Sequence, residues 1–505
     1  MIKHFNTIIR VLTIILLVIA QMVFIMMLPK WLKMNAVAVY FLIEIVSIFL
    51  LCHLMSEETN AAYKILWLAI ILLLPISGHV MYELWGKEGS NERHHHEIHE
   101  TLEYYKALKR PMPELQEYIH SMGMPCYKIS DYLCNNGYPA YQNTKVDYYC
   151  FAEKAFEHLL KDLRNAKKFI FISCFTIADG HLLNKICEIL EFKALEGVEI
   201  KLMYDDAGSI FQLSDSSIKL MKKHKIQIKK FNSIERHFHR QYFHYRNHQN
   251  IVIVDGNISY TGGINITDRH ANMAVNVKHI KDVALRLEGE ATWGLTLTFL
   301  GMWDKERKLT DIEKYEPTNM NKSEAVYQPY ADGPTNNPDN PARDMFHLMA
   351  NMADRELLIM TPYLVLDDET KECLSLAAKS GVNIKIITPG VAEKRMAKWF
   401  TEWTYGALLK EGIHIYEYIP GFVHAKMCIN ETSGFLGTVN MDFRSFYMHY
   451  ECGVWFCDSE VRDKIYEDFN KTLQECREIT LEDWQKRPFY RKAVQLLLQP
   501  FKCQL

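Results

Sequence analysis

Three nearly uncharged runs fill the first 85 positions, and from about residue 145 the pattern changes to short apolar strands alternating with amphipathic helices. The first run, 8–28, is interrupted only by Arg10, Thr13 and Gln21, and at about 1.5 Å per residue it is long enough to cross a bilayer core. Runs 36–55, with a lone Glu44, and 63–84, ending in PISGHVMYELWG, follow directly. No small-residue cleavage site follows the first run, only PKWLK, so the pattern predicts a retained anchor rather than a signal peptide. Two or three spans are expected, with a re-entrant first pair as the alternative. Three spans place Lys30, Lys33, Lys87 and Arg93 on one side and Lys3, Arg10 and Lys64 on the other, which favours a cytoplasmic carboxy-terminal body by one residue.

The second region carries one order of elements twice. AFEHLLKDLRNAKKFIFISCF, ALEGVEIKLMYDDAGS and HQNIVIVDGNISYTGGIN are matched by MFHLMANMADRELLIMTPYLV, AAKSGVNIKIITPG and HAKMCINETSGFLGTVN. Each copy predicts an amphipathic helix, an apolar strand, a second helix ending at Gly197 or Gly381, and another strand. Helices alternating with buried strands predict a duplicated α/β fold. The expected layout is an anchor at 1–86, a linker and pre-catalytic segment at 87–144, and two units at 145–320 and 321–505.

Composition adds limits. With 505 residues the chain has room for two cores besides an anchor, and a net charge of −3 argues against a dedicated nucleic-acid binder. Twelve cysteines without a CxxC pair predict reduced thiols, neither a disulfide framework nor a zinc site. The histidines at 94–96 fit a solvated linker better than a metal site. One stretch is strongly basic: Lys219, Lys222, Lys223, Lys225, Lys229, Lys230, Arg236, Arg240 and Arg246 face the single acid Glu235. Phe238, Tyr242, Phe243 and Tyr245 are interleaved with its second half, a mixture suited to anionic lipid headgroups, with a solvated helix face as the alternative for 219–230.

Chemistry enters at the ends of the two copies. Residues 248–265 and 424–440 each open on a histidine, continue through a short strand into a Gly-Gly or Gly-Thr turn, and end on an asparagine. Alternation puts His248 with Asn250, and His424 with Lys426, on one face, so both faces can look into a shared cleft. This pattern resembles the duplicated H-x-K-x4-D signature of the phospholipase D superfamily, and the blocks YRNHQN, TGGINI, TPYL, ITPG, YEYIPGFVHAK and GTVNMDFRS resemble the bacterial cardiolipin synthases in particular. The resemblance covers nearly the whole chain. It implies phospholipase D-type α/β domains packed as a pseudo-dimer behind amino-terminal transmembrane helices, in a multi-pass bacterial cell-membrane protein.

It also implies the reaction. A neutral imidazole attacks a lipid phosphorus to give a phosphohistidine while a protonated one serves the departing glycerol oxygen, and the roles then reverse. Two phosphatidylglycerols would give cardiolipin and glycerol with no cofactor and no metal, on phosphatidylglycerol and other anionic phospholipids, with no nucleic acid as partner. His248, Asp255, His424, Lys426 and Glu431 are the expected catalytic residues, with His248 as nucleophile and the order open to exchange. Asn250, Asn265 and Asn440 are expected to bind substrate, and Asp282 and Glu451 stand where carboxylates could orient the histidines.

The first copy departs from the family. Asn250 stands where the lysine belongs and Ser173 where a glutamate is usual. In the second copy a missing residue leaves Glu431 or Asn430 for the acid position, and strand parity favours Glu431. These departures keep two alternatives open: a catalytically impaired lipid-binding relative, and a hydrolytic phospholipase D-type phosphodiesterase.

Overall fold

The structure, a computed structural model, describes residues 5–32, 36–57, 60–86, 92–234, 244–275, 277–304, 309, 311–337, 339–457 and 459–504. Lys3, Lys33, Lys87 and the 235–243 part of the basic stretch, with Glu235, Arg236, Phe238, Arg240, Tyr242 and Phe243, lie outside the described residues, as do the side chains of His94 and His95.

Residues 144–289 build a seven-stranded sheet in the order Thr144–Tyr149, Ala284–Gly289, Ile258–Gly262, Ile251–Val254, Phe169–Cys174, Glu199–Asp205, Gln227–Phe231. The second unit repeats that order as Val326–Asp332, His449–Cys457, Ser433–Gly437, Met427–Ile429, Glu356–Met360, Asn383–Pro389, His414–Tyr418, and adds Cys476–Ile479 at the far edge. In each unit a parallel strand pair is joined by a helix, His181–Leu195 or Asp368–Lys379. Each is followed by the expected glycine in the left-handed region, Gly197 at φ +87° and Gly381 at φ +102°, where a Cβ would be strained.

Strand alternation sorts the apolar residues into layers. Phe169, Phe171, Ile251 and Ile253 face the other unit, while Ile170, Ile172, Val252 and Val254 face their own helices. The inward faces of both sheets form one core, with Leu285 and Leu287 from the first unit and Met427, Leu436 and Val454 from the second. The two units are thus a duplicated α/β pair sharing a core.

The segment expected as a linker is instead three helices, Glu92–Ala107, Pro113–Ser121 and Met124–Asn135. Ile98 and Tyr105 of the first are buried in the shared core, and Tyr105 Oη donates to Asp304 at 2.6 Å. Its charged composition hid a narrow apolar face. The cysteine reading also needs correction: Cys126 and Cys457, 331 residues apart, are joined in a disulfide. Tertiary folding brings them together, and no spacing motif marks such a pair.

At the amino terminus lie α1 (Phe5–Leu32), α2 (Ala36–Ser56), α3 (Ala61–Leu73) and α4 (Ser77–Trp85). The expected third span is therefore two helices broken at Pro75, which lacks an N–H and disfavours helix at Leu74. Gln21 of α1 reaches the break, where its carbonyl accepts from the Ser77 backbone N–H at 2.8 Å. Among the described residues one helix, Val37–Ser56, is long and apolar enough to cross a membrane; Leu12–Phe24 and Ala61–Leu73 are shorter apolar stretches. Leu66, Trp67 and Tyr82 pack with Val365, Phe400, Phe443 and Cys503, docking α3 and α4 on the second unit.

Candidate active site

Four strands place the two motif histidines: β1 (Arg246–Asn247), β2 (His279–Lys281), β3 (Gly421–Val423) and β4 (His449–Cys457). β1 belongs to the first unit but pairs in parallel with the start of β4 in the second, and β3 of the second pairs in parallel with β2 of the first. The chain then continues alike in both. His248 N–H donates to Tyr450 O at 2.9 Å, one residue before Glu451, and His424 N–H donates to Lys281 O at 2.8 Å, one residue before Asp282. Each histidine is thereby laid beside the carboxylate of the opposite unit. His248 Nδ1 donates to both Glu451 oxygens at 2.9 Å, and His424 Nδ1 donates to Asp282 Oδ2 at 2.7 Å. With Nδ1 committed, Nε2 is left for chemistry in each ring.

Both histidines line one cavity of about 560 Å³ between the units, together with Asn265 and Asn440. The glycine turn makes this approach possible on one side: a Cβ on Gly263 would lie 2.1 Å from Asp282 Oδ1 and 2.9 Å from His424 O. The second copy has Thr438 there, whose hydroxyl donates to Glu451 instead.

The two carboxylates are unequal as well. Glu451 is fully buried and accepts from His248, Thr438 and Ser445, the last at 2.7 Å. Burial alone would raise its pKa, but the charge and hydrogen bond of His248, with His449, hold it down to about 2. Asp282 accepts from His424 and from the Val283 N–H at 3.0 Å, and burial pushes it up to about 6. Burial, followed by the charges of Lys426 and His248, holds His424 well below the usual histidine range. One histidine stands beside an ionised carboxylate, whereas the other is held neutral.

A second histidine accompanies each of the first. His449 lies 5.3 Å from His248 and His270 4.9 Å from His424, ring centre to ring centre, and burial pushes both down to about 3. Motif spacing does not include them, although a histidine follows the turn asparagine in both copies, His270 after Asn265 and His449 after Asn440. The groups His248–His449–Glu451 and His270–Asp282–His424 each gather three ligand-type atoms within 4.8 Å, spacing a metal ion can use. A cation there would occupy the histidines that the proton chemistry needs.

The other expected site residues lie elsewhere. Asp255 accepts backbone N–H groups of Lys167, Lys168 and Phe169 at 2.8, 2.6 and 2.9 Å. Glu431 does the same for Asp354, Arg355 and Glu356, whereas Asn430 forms its own turn with Thr432 and Ser433. Glu431 thus makes in the second copy the contacts that Asp255 makes in the first, each capping the loop that enters a central strand, outside the cavity lining. Asn250 and Lys426 do not line the cavity either. Asn250 accepts from Phe175 N–H at 3.1 Å and donates to Gly262 O at 3.4 Å, and Lys426 Nζ donates to His424 O. Residues 248–250 and 424–426 are irregular backbone, so strand alternation does not carry from the histidine to the residue two later.

The two departures of the first copy are neighbours. Ser173 Oγ donates to Gln249 O at 3.3 Å and accepts from Asn247 Nδ2 at 3.0 Å, beside Asn250. A buried lysine needs a carboxylate partner, and a neutral pair in place of both leaves no buried charge uncompensated.

Comparison with known proteins agrees with this architecture. A family model described as cardiolipin synthase, PLD-like domain, matches residues 159–286 and 348–473, and one described as phospholipase D-nuclease N-terminal matches 37–87. An uncharacterized protein of Streptococcus mutans is 36% identical over 71% of this chain and 78% of its own length. A cardiolipin synthase of Clostridium perfringens is 30% identical over 85% of this chain and 92% of its own. The crystal structure of phosphatidylserine synthase from Haemophilus influenzae covers 75% of this chain and 100% of its own at a TM-score of 0.57 and 13% identity, a likeness of fold alone.

Proposed function

Because the chain belongs to the cardiolipin synthase, phospholipase D-like family, we propose that it joins two phosphatidylglycerol molecules into cardiolipin and glycerol at the cavity between its units, with His424 as nucleophile and His248 as acid and base. It is a phosphatidyltransferase; the finer assignments rest on the unequal pair of carboxylates. A nucleophilic imidazole must begin neutral, which suits His424 beside Lys426 and Asp282. An acid must begin protonated, and the ionised Glu451 is the carboxylate that balances an imidazolium at His248. This reverses the order expected from the motif alone.

In the first step His424 Nε2 attacks the phosphorus, the bond from phosphorus to the glycerol oxygen breaks, and His248 Nε2 gives that oxygen its proton. Free glycerol leaves and the phosphatidyl group stays on His424. The hydroxyl of a second phosphatidylglycerol then attacks, its proton passes to His248, and the bond from phosphorus to nitrogen breaks. Bonds and protons balance over the cycle. Supplying phosphatidylglycerol to the membrane-inserted protein and analysing the lipids tests this reading: cardiolipin with equimolar glycerol is expected, and phosphatidic acid alone would favour the hydrolytic alternative.

The membrane supplies both substrates. The apolar helix α2 serves as a span, and the carboxy-terminal helix Phe489–Leu498 runs into a turn, Gln499–Gln504, that packs on α3, with Phe489 85%, Leu497 73% and Phe501 47% exposed. Aromatic and aliphatic groups next to Arg491, Lys492 and Lys502 suit an anionic lipid surface. Val365, in the packing between α3 and the second unit, also lines the cavity, which puts the site close to that surface.

A further inference from the structure

The loss of the first-copy lysine leaves a question of charge. A phosphodiester gains negative charge on its non-bridging oxygens in the transition state, and fixed donors aimed at that charge supply much of the rate. Neither motif position aims a donor directly at that charge: Lys426 and Asn250 both lie off the cavity lining and are bonded to backbone groups, and Asn250 is neutral besides.

Three arginines line the cavity. Arg246 is bound to Asn232 O at 2.8 Å and faces Asp205 at 3.5 Å. Arg269 is paired with Glu393 at 2.9 Å. Arg444 differs: its guanidinium makes no hydrogen bond or ion pair among the described residues, and its Nε is buried without a partner. The residue is half-buried, and burial, opposed by the charge of Asp442, pushes its pKa below the usual arginine value. A partly desolvated, uncommitted guanidinium is costly unless a ligand completes it. Its position is well fixed. It lies in the short helix Phe443–Tyr447, whose start is capped by Asp442 accepting from Ser445 N–H at 2.8 Å, and Ser445 in turn donates to Glu451. Asn440, four residues earlier, also lines the cavity and has a buried, unpartnered amide oxygen.

We propose that Arg444 is the phosphate-binding cation on the His248 side of the cavity, gripping the non-bridging oxygens of the lipid phosphodiester in the role that the missing lysine leaves open. The assignment rests on the phosphatidyltransferase reading for its substrate, but the ligand chemistry, a tetrahedral oxyanion, stands apart from it. An arginine fork reaches two oxygens at once, which a lysine cannot do.

Two arms separate the claims. Full-length protein in detergent, wild type and the Arg444→Lys and Arg444→Gln variants, is titrated with orthovanadate, which needs no lipid. Cardiolipin formation is then measured in phosphatidylglycerol vesicles, with thermal unfolding of each variant as the check on folding. Arg444→Gln should bind vanadate about 10- to 100-fold more weakly and lose at least as much in kcat/KM, mostly in kcat, and Arg444→Lys should fall between it and wild type. Folded Arg444→Gln that binds vanadate and turns over within threefold of wild type would overturn the assignment. If Arg444→Gln does not fold, the lysine variant decides alone: weaker vanadate binding in folded protein supports the role, and unchanged binding refutes it. A wild-type chain that binds vanadate but makes no cardiolipin would count against the reaction and leave the arginine assignment standing.

Discussion

Asn250 and Lys426 occupy corresponding positions, and the charge of Lys426 adds to the burial that keeps His424 neutral. The Lys426 ammonium, itself pushed down to about 8 by burial, disfavours a proton on His424; no such charge stands at residue 250. Two consequences follow at this scale. His424, already neutral, should impose no loss of kcat as pH falls to about 6.5. Lys426→Met should let the His424 pKa rise and so bring in a fall of kcat towards pH 6.5 that the wild type lacks, as a pH profile in vesicles would show. The second concerns the paired departures. Asn250→Lys should destabilise the fold by about 3 kcal/mol, because it buries a charge where Asn250 meets only backbone groups, and adding Ser173→Glu should recover much of that, measured by denaturant unfolding as a double-mutant cycle.

At the scale of elements, Asp255 and Glu431 are strand-entry caps in both copies. Replacing either with alanine should cost about 2 kcal/mol of stability, seen as a lower unfolding midpoint, with kcat of the folded protein within about threefold of wild type. A catalytic carboxylate would give the opposite pattern. The sequence showed the duplication, the two histidines and the turn asparagines, because order and spacing are properties of the chain, and the family resemblance pointed to Asp282 and Glu451. It did not show which motif residues face the cavity, since that depends on irregular backbone after β1 and β3. Nor did it show Arg444 or the second histidines, which enter the site from the opposite unit through the crossed pairing of β1 with β4 and β3 with β2. The break at Pro75 was written in the third apolar run, but hydropathy alone reads through a proline.

For the whole molecule the crossed pairing means that neither unit holds a complete site. Each histidine is oriented by the other unit's carboxylate, so Glu451→Gln and Asp282→Asn should both lower kcat by about 100-fold or more while leaving the fold intact. Steady-state rates together with thermal unfolding check this. The amino-terminal helices and the carboxy-terminal turn Gln499–Gln504 meet on the second unit, at a cluster that shares Val365 with the cavity lining. Replacing Phe489, Leu497 and Phe501 together by serine should slow turnover of vesicle-borne phosphatidylglycerol several-fold and spare a water-soluble short-chain substrate. The order of the histidines remains the claim on which the proposed mechanism turns. It is tested most directly by quenching the enzyme in alkali during turnover of phosphatidylglycerol and locating the covalent phosphatidyl adduct by peptide mass mapping. The adduct is expected on His424, and an adduct on His248 would contradict the assignment.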